Sequence, residues 1–334
     1  MDHRIGQLAD LVSAGGVVVL SGAGMSTDSG IPDYRGPSGA LRRRAPITYR
    51  EFVSDARARQ RYWARSHAGW RHIAGAQPNA AHLAVAALER AGWLSGTITQ
   101  NVDGLHQRAG SCDVIELHGN LSMVVCLACG RRSTHAALAR RLRAANPELD
   151  LRIAQLAPDG DADLPDDFVH RFRVVSCHGC GDGVIKPEVV FFGESVPRGR
   201  VAHCFRRVDA ALTLLVLGSS LKVMSGYRFV IHARKRGVAV AIVSRGPTRG
   251  DADADLKIDA GLADVLPRLL ACLRSGPELA EERAQILDEQ VGHLHRGEVS
   301  ALGMIGPVEH PVVGIHEPPN ERIGVEHRPA GRHV

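Results

Sequence analysis

Two C-x-x-C pairs, Cys126 with Cys129 and Cys177 with Cys180, carry the most specific chemical spacing in the chain. Four thiolates complete a tetrahedral zinc shell and leave no open position, so the implied ion is structural rather than hydrolytic. The competing explanations are unliganded core cysteines and a redox pair, and two pairs of matched spacing in one chain disfavour both. The spacer between them, residues 130–176, exceeds the roughly 15–20 residues of a compact zinc ribbon. Cys112, Cys204 and Cys272 stand alone and read as small apolar residues.

A second constellation begins at Gly22-Ala23-Gly24, which follows the apolar run from Val17 and leads into Met25-Ser26-Thr27. Glycines there let backbone approach phosphate oxygens, and the hydroxyls of Ser26 and Thr27 add donors. A dehydrogenase fingerprint would place a third glycine at Thr27, so the loop is either another kind of dinucleotide site or a tight turn. Asp33-Tyr34-Arg35 then puts an anion, a ring and a cation together, a set suited to surrounding a charged pyridinium. His118 closes the run Val114–Leu117 and is a candidate general base near neutral pH, with a structural histidine as the alternative. Asn101 and Asp103 supply an amide and a carboxylate suited to a carboxamide and a ribose.

These residues need elements to hold them. Short apolar runs at 17–20, 97–99, 114–117, 212–217 and 238–243 alternate with helix-like segments. Continuous apolar runs indicate strands buried on both faces, hence a parallel α/β sheet of Rossmann-like type covered by helices. Such a sheet binds ligands at the carboxyl ends of its strands. There lie Gly22 to Gly24, Gln100 to Asp103, His118, Gly218-Ser219-Ser220 and Ser244-Arg245-Gly246, mostly small or polar. Residues 122–190 interrupt the alternation and hold both cysteine pairs, so they form a small inserted zinc-binding module. The sheet domain is then discontinuous, 1–121 with 191–273. Within 184–194, Val190-Phe191-Phe192-Gly193-Glu194 is either core strand or an edge open to a peptide. Residues 274–334 suggest one last helix and a mobile tail. Its irregularly spaced histidines, 293, 295, 310, 316, 327 and 333, make a weak metal-binding signal.

With 334 residues and 44% hydrophobic content the chain can bury a substantial core. No run approaches the roughly 18 apolar residues of a membrane span, and the start has no secretory layout, so a reducing cytoplasm is expected. The charge of +5 hints at nucleic acid, but the basic residues are scattered and almost all arginine; lysine stands only at 186, 222, 235 and 257. No nucleic acid or membrane partner is expected.

Assembled, these residues closely resemble the sirtuins, NAD-dependent protein-lysine deacylases, over roughly 8–273. The matching motifs are G-A-G-M-S-T-D-S-G-I-P-D-Y-R, T-Q-N-V-D-G-L-H, E-L-H-G, both cysteine pairs, K-P-E-V-V-F-F-G-E and the G-S-S-L turn. The stretches 61–70, 225–229 and 246–251, with the long spacer, are most similar to the class II, mitochondrial-type branch. The resemblance implies NAD as co-substrate, one structural zinc, acylated protein lysines as partners and a monomer. It implies transfer of the acyl group to ADP-ribose with release of nicotinamide, His118 acting as base on a ribose hydroxyl. It implies that Gln100, Asn101 and Asp103 hold nicotinamide and its ribose under Asp33, Tyr34 and Arg35. Gly22, Ala23, Gly24 and Thr27 would face the phosphates, Gly218, Ser219 and Ser220 would line the same groove, and Ser244, Arg245, Gly246 and Leu262 would sit toward adenosine. Val190, Phe191, Phe192, Gly193 and Glu194 would pair with the substrate peptide.

The chain departs from the family pattern in places. Tyr34 replaces a common phenylalanine, and Ala40 stands where desuccinylating relatives carry tyrosine, although Arg42 matches their arginine. The run Lys222-Val223-Met224-Ser225 lacks the proline that many protein deacetylases have after this turn. Protein ADP-ribosyl transfer or removal of long-chain or lipoyl-type acyl groups would use the same pocket. A zinc-ribbon nucleic-acid binder with a vestigial nucleotide fold is the alternative of another class.

Overall fold

A computed structural model describes residues 1–33, 46–149 and 164–275. Tyr34, Arg35, Ala40, Arg42, the acidic stretch up to residue 163 and the tail from 276 lie outside the described residues.

Among the described residues nine strands form two sheets: β1 (Val17–Ser21), β2 (Leu94–Thr99), β3 (Val114–Glu116), β4 (Gly119–Cys126), β5 (Arg132–Thr134), β6 (Ile185–Val189), β7 (Thr213–Leu217), β8 (Ala239–Val243) and β9 (Leu256–Ile258). The larger sheet runs β3-β2-β1-β7-β8-β9, parallel throughout. Its direction of winding reverses between β1 and β7, which opens a crevice at their carboxyl ends. The strand runs expected from the sequence are all present, and β9 is an addition too short to stand out as a run.

The apolar runs are continuous because successive residues serve opposite cores. Val17 and Val19, with Leu215, Leu217, Ala241 and Val243, pack among the helices Asp2–Ser13, Ala80–Arg90 and Leu262–Arg274. Val18 and Leu20, with Leu214, Val216, Val240 and Ile242, face the helices Arg198–Asp209 and Met224–Arg236.

The smaller sheet, β5-β4-β6, is antiparallel. A third apolar cluster joins it to the helix Ala56–Gly75 through Phe52, Tyr62, Trp63, Leu121, Val124, Ile185 and Phe191. The indole N–H of Trp63 donates to the Ile185 carbonyl at 3.1 Å. The amphipathic helix 56–75 thus finds its apolar partner far along the chain, in the small sheet.

Candidate functional site

Strands β1 and β7 end level, with Ser21 beside Leu217, and the loops that leave them cross at once. Gly22 N–H donates to the Leu217 carbonyl at 2.9 Å and Gly24 N–H to the Gly218 carbonyl at 2.8 Å. A Cβ on Gly24 would lie 2.9 Å from that carbonyl oxygen, and Gly218 has φ +60° with its own Cβ position 2.7 Å from Gly24 backbone. The glycines are thus required first by the crossing of the two loops.

Strand β2 ends in side chains that stitch the crossing together. Gln100 Nε2 donates to Ser219 Oγ at 2.8 Å, and Asn101 Nδ2 donates to the Gly22 carbonyl and to Ser26 Oγ at 3.0 and 3.1 Å. Ser26 donates to Asp103 Oδ2 at 2.7 Å, while Asp103 Oδ1 accepts from Leu105 N–H at 2.9 Å. Burial raises the Asp103 carboxyl above its ordinary value, and these donated bonds oppose the rise.

His118 lies between a backbone carbonyl and a hydroxyl. Its Nδ1 is 2.9 Å from the Gln100 carbonyl, and Nε2 is 2.8 Å from Ser225 Oγ. A carbonyl can only accept, so Nδ1 carries the proton and Nε2 presents its lone pair. Burial lowers the pKa of the ring, opposed by the bond to Gln100 and reinforced by the charges of Arg200 and Arg228. His118 is therefore neutral near pH 7, with the protonation that a general base requires.

A cavity of about 1050 Å³ occupies the crevice. It is lined by every described residue that the sequence assigned to cofactor or substrate, from Gly22, Ala23, Gly24, Thr27 and Asp33 through Gln100, Asn101, Asp103 and His118 to Gly218, Ser219, Ser220, Ser244, Arg245, Gly246 and Leu262. Val190, Phe191, Phe192, Gly193 and Glu194 form one wall. The volume reaches the top of the roughly 300–1,000 Å³ usual for ligand sites. With amide, hydroxyl and carboxylate groups at a sheet switch point, it fits a dinucleotide plus a second ligand.

The wall 190–194 is anchored to His118. Val190 N–H donates to the His118 carbonyl at 2.8 Å. Phe191 is buried against Phe52 and Tyr62, at centroid distances of 5.0 and 5.2 Å, whereas Phe192 is exposed. Lys186, within β6, is buried, and its ammonium lies 3.0 Å from Glu194 Oε2, the oxygen that also accepts Phe191 N–H at 2.8 Å. Sequence reasoning missed Lys186, although a lysine inside an apolar strand signals a buried partner. It also missed Ser225, which has no local signal because its partner lies 107 residues away.

The four thiolate positions meet at the other end of the small sheet. The Sγ atoms of Cys126, Cys129, Cys177 and Cys180 lie within 4.8 Å of one another. Separations of 3.7 Å for Cys126 to Cys180 and 3.8 Å for Cys129 to Cys177 suit a tetrahedron with zinc–sulfur bonds of about 2.3 Å. The two turns are built alike, Gly130 N–H donating to the Cys126 carbonyl and Gly181 N–H to that of Cys177, at 3.0 and 2.9 Å. Gly183 has no alternative, since a Cβ there would stand 2.3 Å from the Cys126 sulfur. Backbone N–H donation from Cys180, then Gly179, lowers the Cys177 thiol to about 6, whereas burial and then the Cys126 thiol raise Cys180 to about 12, so one of these crowded thiols ionises ahead of the other. The cluster fits one structural zinc ion.

A model of the Sir2 family matches residues 22–225. The chain is 58% identical over 259 residues to NAD-dependent protein deacetylase 1 of Streptomyces coelicolor, covering 78% of this chain and 86% of that protein. This chain belongs to the Sir2 family. The Mycobacterium avium protein of the same description is 50% identical over 268 residues, covering 79% of this chain and 93% of its own. Among solved structures, a Sir2 enzyme with a p53 peptide and NAD+ superposes with a TM-score of 0.64 at 31% identity, covering 79% and 96% of the two chains. A second Sir2 structure gives 0.66 at 30% identity, covering 82% and 99%. The parallel sheet and the four-cysteine cluster are those expected of a Sir2 protein with a zinc-binding module.

Proposed function

We propose that this Sir2 protein removes acyl groups, acetyl among them, from protein lysines at the expense of NAD. The observation that carries this is the junction of three parts at one cavity: a half-buried neutral histidine, the crossed loops of a dinucleotide site, and an anchored wall whose backbone bonds to that histidine. Curated relatives described as NAD-dependent protein deacetylases support it. NAD supplies an electrophilic ribose carbon with nicotinamide as leaving group, which the acyl oxygen attacks.

In this reading His118 takes a ribose hydroxyl proton at Nε2, with Nδ1 held by the Gln100 carbonyl. Gln100, Asn101 and Asp103 receive nicotinamide and its ribose, with Asp33 at their edge. Gly22, Ala23, Gly24 and Thr27 face the phosphates beside Gly218, Ser219 and Ser220, and Ser244, Arg245, Gly246 and Leu262 receive adenosine. Residues 190–194 receive the substrate backbone. The zinc module of 122–190 frames this wall, and 1–121 with 191–273 form the nucleotide domain. The long 130–176 spacer supports the class II branch, and the chain acts as a cytoplasmic monomer.

Incubation with NAD and a panel of acyl-lysine peptides should release nicotinamide and free lysine. Absence of both across short and long acyl chains would defeat the proposal. His118→Ala should lower kcat by about 10²–10⁴-fold while calorimetry still detects NAD binding.

A further inference from the structure

We propose that Ser225 is a positioning residue for His118, a second holder of the imidazole that works with the Gln100 carbonyl; this rests on the role of His118 given above. The hydrogen-bond roles are forced. The carbonyl fixes the proton on Nδ1, so the Ser225 hydroxyl at 2.8 Å donates to the Nε2 lone pair. The two contacts lie at opposite nitrogens and remove the freedom of the ring to swing about its side-chain bonds.

Ser225 is itself rigidly held. It is the second residue of the helix Met224–Arg236, whose start is pressed against the end of β2. At Gly226 the helix start packs closely on the Gln100 side chain, whose oxygen would lie 2.5 Å from a Cβ there. Gln100 thus supports both grips on the ring, through its carbonyl at Nδ1 and through its side chain against the helix that carries Ser225. Ser225 also lines the cavity, so its hydroxyl marks the place that a ribose hydroxyl must reach to give its proton to Nε2. Nε2 has a single lone pair, so Ser225 must cede it when a ribose hydroxyl arrives; until then the contact holds the ring with Nε2 facing the cavity, which preorganises it.

The test compares Ser225→Ala and Ser225→Thr with the parent protein. The alanine variant should lose about tenfold in kcat, the rate equivalent of one hydrogen bond, with KM for peptide and NAD within twofold. Threonine restores the hydroxyl and should bring kcat back. Histidine 15N spectra, with His118 assigned from a His118→Ala sample, give a readout without turnover. The Nε2 resonance of the parent should move toward that of an unbonded imine nitrogen in the alanine variant and return in the threonine variant. Parental kcat in Ser225→Ala, a loss that threonine does not repair, or an unmoved Nε2 resonance would overturn the proposal. If the parent protein turns over no acyl-peptide, the deacylase reading fails, while the resonance comparison still decides the role of Ser225.

Discussion

At the scale of single residues the protonation of His118 is set by its partial burial at the cavity. Its imidazole is lowered from the ordinary 6.5 first by burial, with Gln100 opposing and Arg200 and Arg228 assisting. A base must be neutral, and a lowered value keeps it neutral to lower pH. The acid limb of kcat/KM, followed by nicotinamide release, should therefore lie below pH 6.5. A limb at or above that value would show that the ring is solvated in the working enzyme. His118 was legible as a candidate because it ends an apolar run at the ligand edge of a parallel sheet. Its tautomer was not legible, since the carbonyl and the hydroxyl that set it come from two distant elements.

Among the elements, the small sheet rests on its four-cysteine cluster and on ion pairs, the exposed Arg132 with Glu188 and the buried Lys186 with Glu194. The thiol cluster ties the turn after β4 to the segment before β6, so zinc binding becomes folding energy for this sheet. A chromophoric chelator should report one zinc per chain. Its removal should loosen the core that holds Trp63 and Trp70, seen as a change in tryptophan emission. Lys186→Met should cost about 3 kcal/mol, the low end for breaking a buried pair because Glu194 keeps some contact with water. Urea unfolding would measure that loss, and the peptide KM should rise as residues 190–194 lose their anchor. Both C-x-x-C pairs were plain in the sequence, whereas the sharing of a core between residues 49–75 and the small sheet was not. An amphipathic helix shows its apolar face but not its partner.

Across the whole molecule, buried histidines couple stability to pH. Burial lowers His82 to about 3 and His106 and His135 to about 4. His82 and His106 pack edge to face at 5.1 Å, and His135 stacks on Trp70 at 3.9 Å. Each folded value lies below the unfolded 6.5, so the unfolded chain takes up protons that the folded one refuses. Their contribution is full above pH 6.5 and is lost as the pH falls from there toward 4. The slope is at most about 1.4 kcal/mol per pH unit for each histidine, or about 4 for the three. Denaturation midpoints should fall markedly between about pH 7 and 5, the interval in which a free histidine titrates. A flat profile would mean that the folded protein admits these protons. No helix among the described residues is long and apolar enough to cross a membrane.

The sequence by itself determined the parallel sheet, the strand ends that line the cavity and the four cysteines that cluster. Those depend on local pattern: apolar runs, small residues where strands stop, and fixed cysteine spacing. The tertiary structure decided what those patterns share. The glycines at 22 and 24 read as backbone open to phosphate, and the structure shows that Gly24 and Gly218 let two loops cross where a side chain would collide. The grip of Ser225 on His118 and of Lys186 on Glu194 belongs to the same class. Contacts between residues brought together only by folding leave little trace in the order of residues along the chain.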